Sequence, residues 1–365
     1  MSLLRDRHPL IVDAHLDMAY NVLYKGRDYL HAAHATRERE RDGAMAALGG
    51  QCVVGLPDMV RGRVGLAFAT IFCEPASHAM GDNMPVYHNS QEAHTMGMAQ
   101  LDFYRRWSEE NDHVSLVTTR KELESVVGCW VSEGREQSIN VHRLGLVPLM
   151  EGADPIREPK ELEMWYEKGL RIVGLAWDTT RYSGGTWTGG RLTKLGRELL
   201  DMMAQFNVVL DVSHMSHESL FEALESFQGR HLIASHSNAN RFVPTARHLP
   251  DRAIELIAER NGVIGVVLYN RFLMDEWSGK KRDVSLDEVI RMIDHMCQVT
   301  GSADHVGIGS DYDGGLGYNE IPRELDTIRD HYKIGDELLL RGYESKHVEQ
   351  IMRGNWLRVL REALP

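Results

Sequence analysis

The sequence predicts an α/β fold, a (β/α)₈ barrel, on the basis of three observations. The 365-residue chain contains eight short apolar runs, and segments with helical periodicity separate them. Most of the runs are continuous in Val, Ile, Leu and Ala, as expected for strands that are covered on both faces. Strands that alternate with helices form parallel sheets, and eight such strands suit a closed barrel.

The predicted strands are these eight apolar runs. In chain order they cover residues 9–15, 64–72, 144–150, 171–177, 208–214, 231–236, 262–269 and 305–311. The longest interval between two strands, about 74–143, follows the second strand and includes a predicted helix over 90–110. We interpret this interval as an insertion in the barrel, so residues 1–365 are expected to form a single domain.

Apolar residues at helical spacing predict the helices between the later strands. One helix covers 192–206, where Leu195, Leu199 and Met202 recur on one face. Residues typical of helix ends predict three further helices. Ser216 precedes a helix that runs to Phe227, Pro250 begins another helix, and Ser285 caps a third helix that ends at Gly301. Residues 345–363 are predicted as a closing helix.

The composition excludes several classes of partner. Acidic residues number 53 and basic residues 41, so the net charge is −12, and a surface of this sign repels nucleic acid. No apolar run approaches the roughly 18 residues of a membrane span, and the N-terminal segment lacks the apolar stretch of a secretory signal. The four cysteines are scattered without a CxxC pair, as in a reducing compartment. We therefore expect a cytoplasmic protein without a membrane or nucleic-acid partner.

Polar residues follow five of the eight predicted strands. In (β/α)₈ barrels the chemistry lies at the C-terminal ends of the strands, which meet at one rim. The residues at these ends are His15 with Asp17, then Glu151, His214, His236 and Asp311. Alternate residues of a strand point to the same side, so the first two can bind one ion. Ionisable groups that converge without a counter-charge are unfavourable, and the pattern therefore predicts a metal site.

The ligand set also indicates how many ions bind. Three carboxylates, those of Asp17, Glu151 and Asp311, leave a negative site around one divalent ion and a positive site around two. A positive site would stabilise a hydroxide and polarise a carbonyl. Six ligands exceed the four of a tetrahedral zinc ion but suit two ions that share a carboxylate. Nitrogen and oxygen ligands admit zinc, manganese, iron or cobalt, and we take zinc as the first candidate.

Five segments carry a resemblance to a known family. They are IVDAHLDMAYN (11–21), LMEGADPI (149–156), LDVSHMS (210–216), IASHSNA (233–239) and VGIGSDYDGG (306–315). Together they resemble the membrane dipeptidase family, also called renal dipeptidase or peptidase family M19, of the amidohydrolase superfamily. The resemblance extends over all eight strands in order. It implies a binuclear zinc (β/α)₈ barrel of the metal-dependent hydrolase type that cleaves dipeptides.

The resemblance implies a role for each ligand. His15 and Asp17 match the ligands of the first metal, and Glu151 matches the carboxylate that bridges both metals. His214 and His236 match the ligands of the second metal. These assignments imply a hydrolase with two divalent ions, a dipeptide as its small-molecule substrate and a metal-activated hydroxide as its nucleophile.

Two further residues match the family's catalytic and substrate-binding positions. Asp311 matches an aspartate beside the metals that accepts the proton of the attacking water and returns it to the leaving amine. Arg247 matches the arginine that holds the terminal carboxylate of the dipeptide, for which a guanidinium fork is well suited. Related proteins are often dimers, and the sequence leaves a homodimer as one alternative.

One departure from the family opens an alternative function. The family has a histidine at the end of the fourth strand to stabilise the oxyanion. Here the aligned residue is Trp177, whose indole N–H can donate one hydrogen bond but carries no charge. We expect Trp177 to line the substrate site and consider Arg181 as the replacement donor. The alternatives are hydrolysis of another small amide, ester or lactone, or a metal-binding scaffold without turnover.

Overall fold

The computed structural model describes residues 10–41, 51–79, 84–131 and 142–365. Eleven strands occur within these residues. They are β1 (Ile11–Leu16), β2 (Val64–Phe72), β3 (Glu74–Pro75), β4 (Val86–Tyr87), β5 (Val114–Leu116), β6 (Leu144–Glu151), β7 (Ile172–Gly174), β8 (Val209–Asp211), β9 (Leu232–Ile233), β10 (Ile264–Val266) and β11 (Val306–Ile308). Each of the eight predicted strands overlaps one of them, so the predicted order of strands is confirmed.

Fourteen α-helices lie in the same parts of the chain. They are α1 (Met18–Lys25), α2 (Ala33–Glu40), α3 (Leu56–Gly62), α4 (Ser90–Glu110), α5 (Arg120–Val131), α6 (Leu162–Glu167), α7 (Lys194–Gln205), α8 (His217–Ser226), α9 (Asp251–Glu259), α10 (Asn270–Leu273), α11 (Leu286–Thr300), α12 (Tyr332–Leu340), α13 (Ser345–Glu349) and α14 (Asn355–Ala363). A π-helical turn, Gln350–Gly354, joins the last two into the predicted closing helix.

The predicted helix ends are confirmed where a side chain or glycine defines them. Ser285 forms a capping box with Glu288 at the start of α11, and Gly301 ends that helix in the left-handed conformation. Ser216 accepts a hydrogen bond from the Ser219 backbone N–H at the start of α8. No helix among these described segments is both long and apolar enough to cross a bilayer.

The strands form a parallel sheet on which the helices pack. Its order is β1-β2-β6-β7-β8-β9, while β10 pairs with β11 in a separate parallel ladder. Two isolated parallel bridges, Ala234 with Ile264 and Leu16 with Tyr312, connect the ends of these two ladders. The fold is therefore an α/β fold on parallel strands, whose carboxyl ends share one edge.

The interval between β2 and β6 contains β3, β4, α4, β5 and α5, and α4 confirms the predicted long helix. Residues 80–83 and 132–141 of the predicted insertion lie outside the described residues, as do residues 1–9 at the start of the chain. The assignment of this interval as an insertion, and of residues 1–365 as one domain, stays a prediction.

Several strands are shorter than the apolar runs predict. The run 208–214 contains a strand of three residues, and the run 231–236 contains a strand of two. Beyond β8, and beyond Ala234 after β9, the backbone leaves the ladder, and His214 adopts a left-handed φ of 65°. Apolar patterning reports burial rather than backbone pairing, and the residues beyond these strands are buried around the site without belonging to the sheet.

A buried aspartate helps to position β1 beside the end of β11. Asp13, within the apolar strand β1, accepts hydrogen bonds from Ser310 Oγ at 2.5 Å and from the Ser310 backbone N–H at 2.9 Å. His331 Nε2 lies 2.9 Å from the same carboxylate. These contacts satisfy a charge that is removed from water and hold the loop after β11 against β1.

Candidate metal centre

Three donor atoms converge at the ends of β6, β8 and β9. Glu151 is the last residue of β6, and its Oε1 lies 3.2 Å from His214 Nε2 and 3.2 Å from His236 Nε2. The two imidazole nitrogens are 2.9 Å apart. Ligands of a tetrahedral zinc ion lie about 3.4 Å from one another, given metal–ligand distances of about 2.1 Å. The spacing of these atoms therefore suits one shared cation.

A second group uses the other oxygen of the same glutamate. Glu151 Oε2 lies 3.6 Å from His15 Nε2, which in turn lies 3.8 Å from Asp17 Oδ2. Asp311 also offers a carboxylate oxygen close to donor atoms of His15 and His236, all within 4.8 Å of one another. The structure thus brings together all six residues that the sequence predicts as metal ligands, and Glu151 faces both groups.

Unpartnered atoms within these groups favour bound cations. His15 Nε2 and Asp17 Oδ1 are buried and have no hydrogen-bond partner among the described residues. Polar atoms that are removed from water without a partner are costly and rare. Nitrogen and oxygen donors that converge in this way fit divalent transition metals, so these residues fit the ions that the sequence predicts.

Burial and neighbouring charges shift the pKa values of three of these ligand residues when no metal ion is bound. Burial lowers the pKa of His15, but the negative charges of Glu151, Asp17 and Asp311 raise it to about 10. Burial raises the pKa of Asp17 to about 7 and that of Asp311 well above its usual value. The metal-free centre therefore holds protons at neutral pH.

These shifts predict that metal binding displaces protons. His15 must lose its proton to become a ligand, so metal affinity should rise with pH by up to about tenfold per unit between about pH 7 and about pH 10. Chelator competition at several pH values measures this slope, and calorimetry in two buffers of different ionisation enthalpy counts the protons released. A metal affinity that does not change with pH would contradict the assignment of His15 as a ligand.

An aspartate–serine pair behind the ligands orients two of the histidines. Asp211 Oδ2 accepts a hydrogen bond from Ser235 Oγ at 2.5 Å. The same hydroxyl oxygen lies 2.8 Å from His236 Nδ1 and 3.3 Å from His15 Nδ1. Because the hydroxyl proton is donated to Asp211, the oxygen accepts from both Nδ1–H groups, and each Nε2 is left with a lone pair for the metal.

Buried aspartates that support the site were not predicted from the sequence, although the sequence contains a signal for them. Asp13 and Asp211 each interrupt an otherwise apolar strand, and both are buried. A charged residue inside such a strand needs a partner, and its position before a ligand at the strand end could have marked it as a supporting residue.

A cavity of about 310 Å³ opens onto the ligands. Trp177 lies in its wall, where its ring packs against Phe72 and Trp187 with centroid distances of 5.1 and 5.0 Å. Two further charged residues of the wall, Lys25 and Glu74, were not predicted from the sequence. The role of Trp177 in substrate contact stays a prediction that its position in the wall favours.

Arg247 lies beside the metal centre but in an adjoining cavity. Its Nη2 donates to the His236 carbonyl at 2.8 Å and its Nη1 to Ser237 Oγ at 3.2 Å. Its Nε is buried without a partner in the described part of the chain. Arg247 lines a cavity of about 500 Å³ that shares Trp187 and Phe272 with the cavity over the ligands. The guanidinium therefore retains a donor for an anion that reaches it.

The contacts of Arg181 do not favour the substrate-site role that the sequence predicts for it, and that role stays a prediction. Arg181 Nε donates to Asp154 Oδ1 at 3.1 Å, and its Nη atoms donate to the carbonyls of Asp154, Ile156 and Arg157. Arg181 is also absent from the described residues that line the cavity over the ligands. The loop after β6 binds this guanidinium, so Arg181 supports that loop in this arrangement.

Comparisons with known proteins agree with the geometry. A profile of the membrane dipeptidase family, peptidase family M19, matches residues 3–364. An uncharacterized protein in the pqqA 5' region of Klebsiella pneumoniae is 30% identical over 228 residues, which cover 60% of this chain and 82% of that protein.

Two solved structures have the same fold. The Pseudomonas aeruginosa probable dipeptidase PvdM has a TM-score of 0.80 at 19% identity, over 99% of this chain and 96% of its own. A Rhodobacter sphaeroides metallopeptidase, liganded with a phosphinate mimic of the dipeptide L-Ala-D-Ala, has a TM-score of 0.77 at 22% identity, over 98% of this chain and 99% of its own.

Proposed function

This chain belongs to the membrane dipeptidase family, peptidase family M19, and from that premise we propose that it hydrolyses the peptide bond of dipeptides. Two divalent metal ions would assist this reaction, with zinc as the first candidate. The observation that carries the proposal is the position of Glu151. Its two carboxylate oxygens face separate groups of ligand atoms, 3.6 Å from His15 Nε2 and 3.2 Å from His214 Nε2. A carboxylate shared in this way suits a pair of ions.

Each ion would have its own ligands in addition to the shared glutamate. His15 and Asp17 would hold one ion, and His214 and His236 the other. When bound, two such ions supply a water of lowered pKa and polarise the scissile carbonyl. We also propose that the strands close into a (β/α)₈ barrel, because the bridges Ala234–Ile264 and Leu16–Tyr312 join the two parallel ladders. Closure would place all these ligands on one rim.

Asp311 is the residue that we propose moves the proton. Its partly buried carboxylate lies near donor atoms of His15 and His236, one from each ligand group. Burial raises the pKa of Asp311, so the carboxylate is a stronger base than an exposed aspartate. It would accept a proton from the attacking water and return that proton to the leaving amine.

The proposal is tested by a substrate panel on protein loaded with zinc or manganese. We expect turnover of dipeptides, with L-Ala-D-Ala included because a related structure holds its phosphinate mimic. The panel also contains L,L- and β-linked dipeptides, N-acyl amino acids and lactones. Trp177 in the cavity wall favours hydrolysis of another amide, ester or lactone as the second candidate function. Turnover of the N-acyl amino acids or lactones without turnover of any dipeptide would replace the first proposal with the second.

Arg247 should determine how strongly the enzyme prefers a free terminal carboxylate. We expect Arg247→Lys to lower kcat/KM for a dipeptide by about 10²-fold, mainly through KM, because an ammonium cannot form the paired hydrogen bonds of a guanidinium. Hydrolysis of the corresponding dipeptide amide should change little. Steady-state kinetics on both substrates measure the difference.

Arg181→Lys provides the matched control for this prediction. Arg181 is held by Asp154 and by backbone carbonyls of the loop after β6. Its replacement should lower stability and leave the ratio of dipeptide to amide hydrolysis unchanged. If Arg247→Lys leaves that ratio unchanged as well, Arg247 does not bind the carboxylate.

A further inference from the structure

A cavity lined by arginines lies at the opposite ends of the strands from the metal ligands. It has a volume of about 830 Å³, and His231 in its wall directly precedes β9, whereas the ligand His236 follows that strand. The five arginines of its lining are Arg120, Arg230, Arg260, Arg358 and Arg361. The cavity is therefore separate from the centre at which peptides would be cleaved.

The charge of this cavity runs against the composition of the chain. Acidic residues outnumber basic ones, 53 to 41, yet the lining contains five arginines and one acidic residue, Glu362. Arg361 is paired with Glu124 at 2.7 Å. In the described segments, no carboxylate lies within 4.0 Å of a guanidinium nitrogen of the other four. Positive charges gathered in this way repel one another, and a bound anion would stabilise them.

The protein holds part of this arginine cluster in place and leaves the rest with unused donors. Arg260 donates to the Gly229 carbonyl at 2.6 Å, and Arg358 donates to the Asp304 carbonyl at 2.9 Å. Arg120 and Arg230 are exposed, and their guanidinium groups donate no hydrogen bond to any described residue. Fixed charges beside unused planar donors are the arrangement that binds oxyanions.

We propose that this cavity binds a small multivalent oxyanion, a ligand that carries phosphate groups or clustered carboxylates. Its volume lies within the range of about 300–1,000 Å³ that is usual for small-molecule sites. Arg120 begins α5, Arg260 follows the end of α9, Arg358 and Arg361 lie in α14, and Arg230 lies in the loop before β9. A ligand bound among them joins three separate helices and stabilises the folded chain.

The test uses inorganic phosphate and succinate as probes of the metal-loaded protein at low ionic strength. Calorimetry should detect saturable binding of at least one probe, and thermal unfolding should shift to higher temperature with its concentration. The double variant Arg120→Ser/Arg230→Ser should weaken binding by at least about tenfold, because charge-assisted hydrogen bonds are lost. Stronger binding of phosphate assigns a phosphate ligand to the cavity, and stronger binding of succinate assigns a carboxylate ligand.

The control removes the same number of charges elsewhere. Arg105→Ser/Arg252→Ser replaces two arginines that pair with exposed carboxylates on α4 and α9, and it should bind the probes as the parent protein does. Dipeptide hydrolysis and the melting temperature without probe report whether each variant is folded. Absence of saturable binding would overturn the proposal. Equal binding by both double variants would also overturn it, because anions that bind at the metal centre instead of this cavity would give that result.

Discussion

Replacing Asp311 by Asn is expected to lower kcat by about 10²- to 10⁴-fold, the range in which a positioned proton acceptor acts, while the metal content stays near two ions per chain. The amide keeps the size of the side chain but cannot accept the proton. Asp311 has a left-handed φ of 61°, a conformation that Asn tolerates, so the backbone should keep its path. Kinetics and metal analysis of the same preparation test both parts of this expectation.

Asp313→Asn is the matched control for Asp311→Asn. Asp313 lines the same cavity and has a φ of 65°, but its carboxylate is paired with Arg27 at 2.9 Å and with the Tyr29 hydroxyl at 3.0 Å. Breaking this buried pair should cost about 3–5 kcal/mol of stability and leave the kcat of the folded protein within about tenfold of the parent value. Parent-like kcat in Asp311→Asn would remove Asp311 from the mechanism.

Glu151→Gln should have the largest effect on metal content. This variant removes the one carboxylate that both ligand groups share, and it leaves two ions with too little negative charge around them in a buried site. We expect the metal content to fall to one ion or none, and activity to fall by about 10³-fold or more. Equilibrium dialysis followed by elemental analysis measures the stoichiometry at several metal concentrations.

The control for this effect is another buried glutamate of the same cavity. Glu74 accepts a hydrogen bond from the Tyr20 hydroxyl at 2.8 Å and is absent from the three ligand groups that the described residues form. Glu74→Gln should therefore retain both ions. If Glu151→Gln binds two ions as tightly as Glu74→Gln does, then Glu151 is not a bridge between them.

Much of the fold could be predicted because burial leaves a strong trace in the sequence. The runs that became β1, β2 and β6 are buried along their whole length, and their order matches the prediction. The later strands are shorter than their runs, since residues around the site are buried without belonging to the sheet. Apolar patterning cannot distinguish these two reasons for burial.

The candidate site could be predicted in composition but not in all its contacts. His15, Glu151 and His236 each stand at or just beyond a strand end, and parallel strands bring such ends together. Arg181 is predicted as the replacement donor because it lies close to Trp177 in the sequence. Its actual partners are Asp154 and the carbonyls that follow, and proximity along a loop does not indicate which neighbouring loop a long side chain reaches.

The sequence by itself determines which side chains the protein has and in what order. It places imidazoles and carboxylates after apolar segments, gives an excess of acidic charge, and contains the five family segments in one order. Their use depends on contacts between residues far apart in the chain. Ser235 aligns His15 from a distance of 220 residues, and Arg120 shares a cavity with Arg358. Hydrophobic periodicity is a local property, whereas the direction of a hydrogen bond or the sum of several charges exists only after distant segments have packed together.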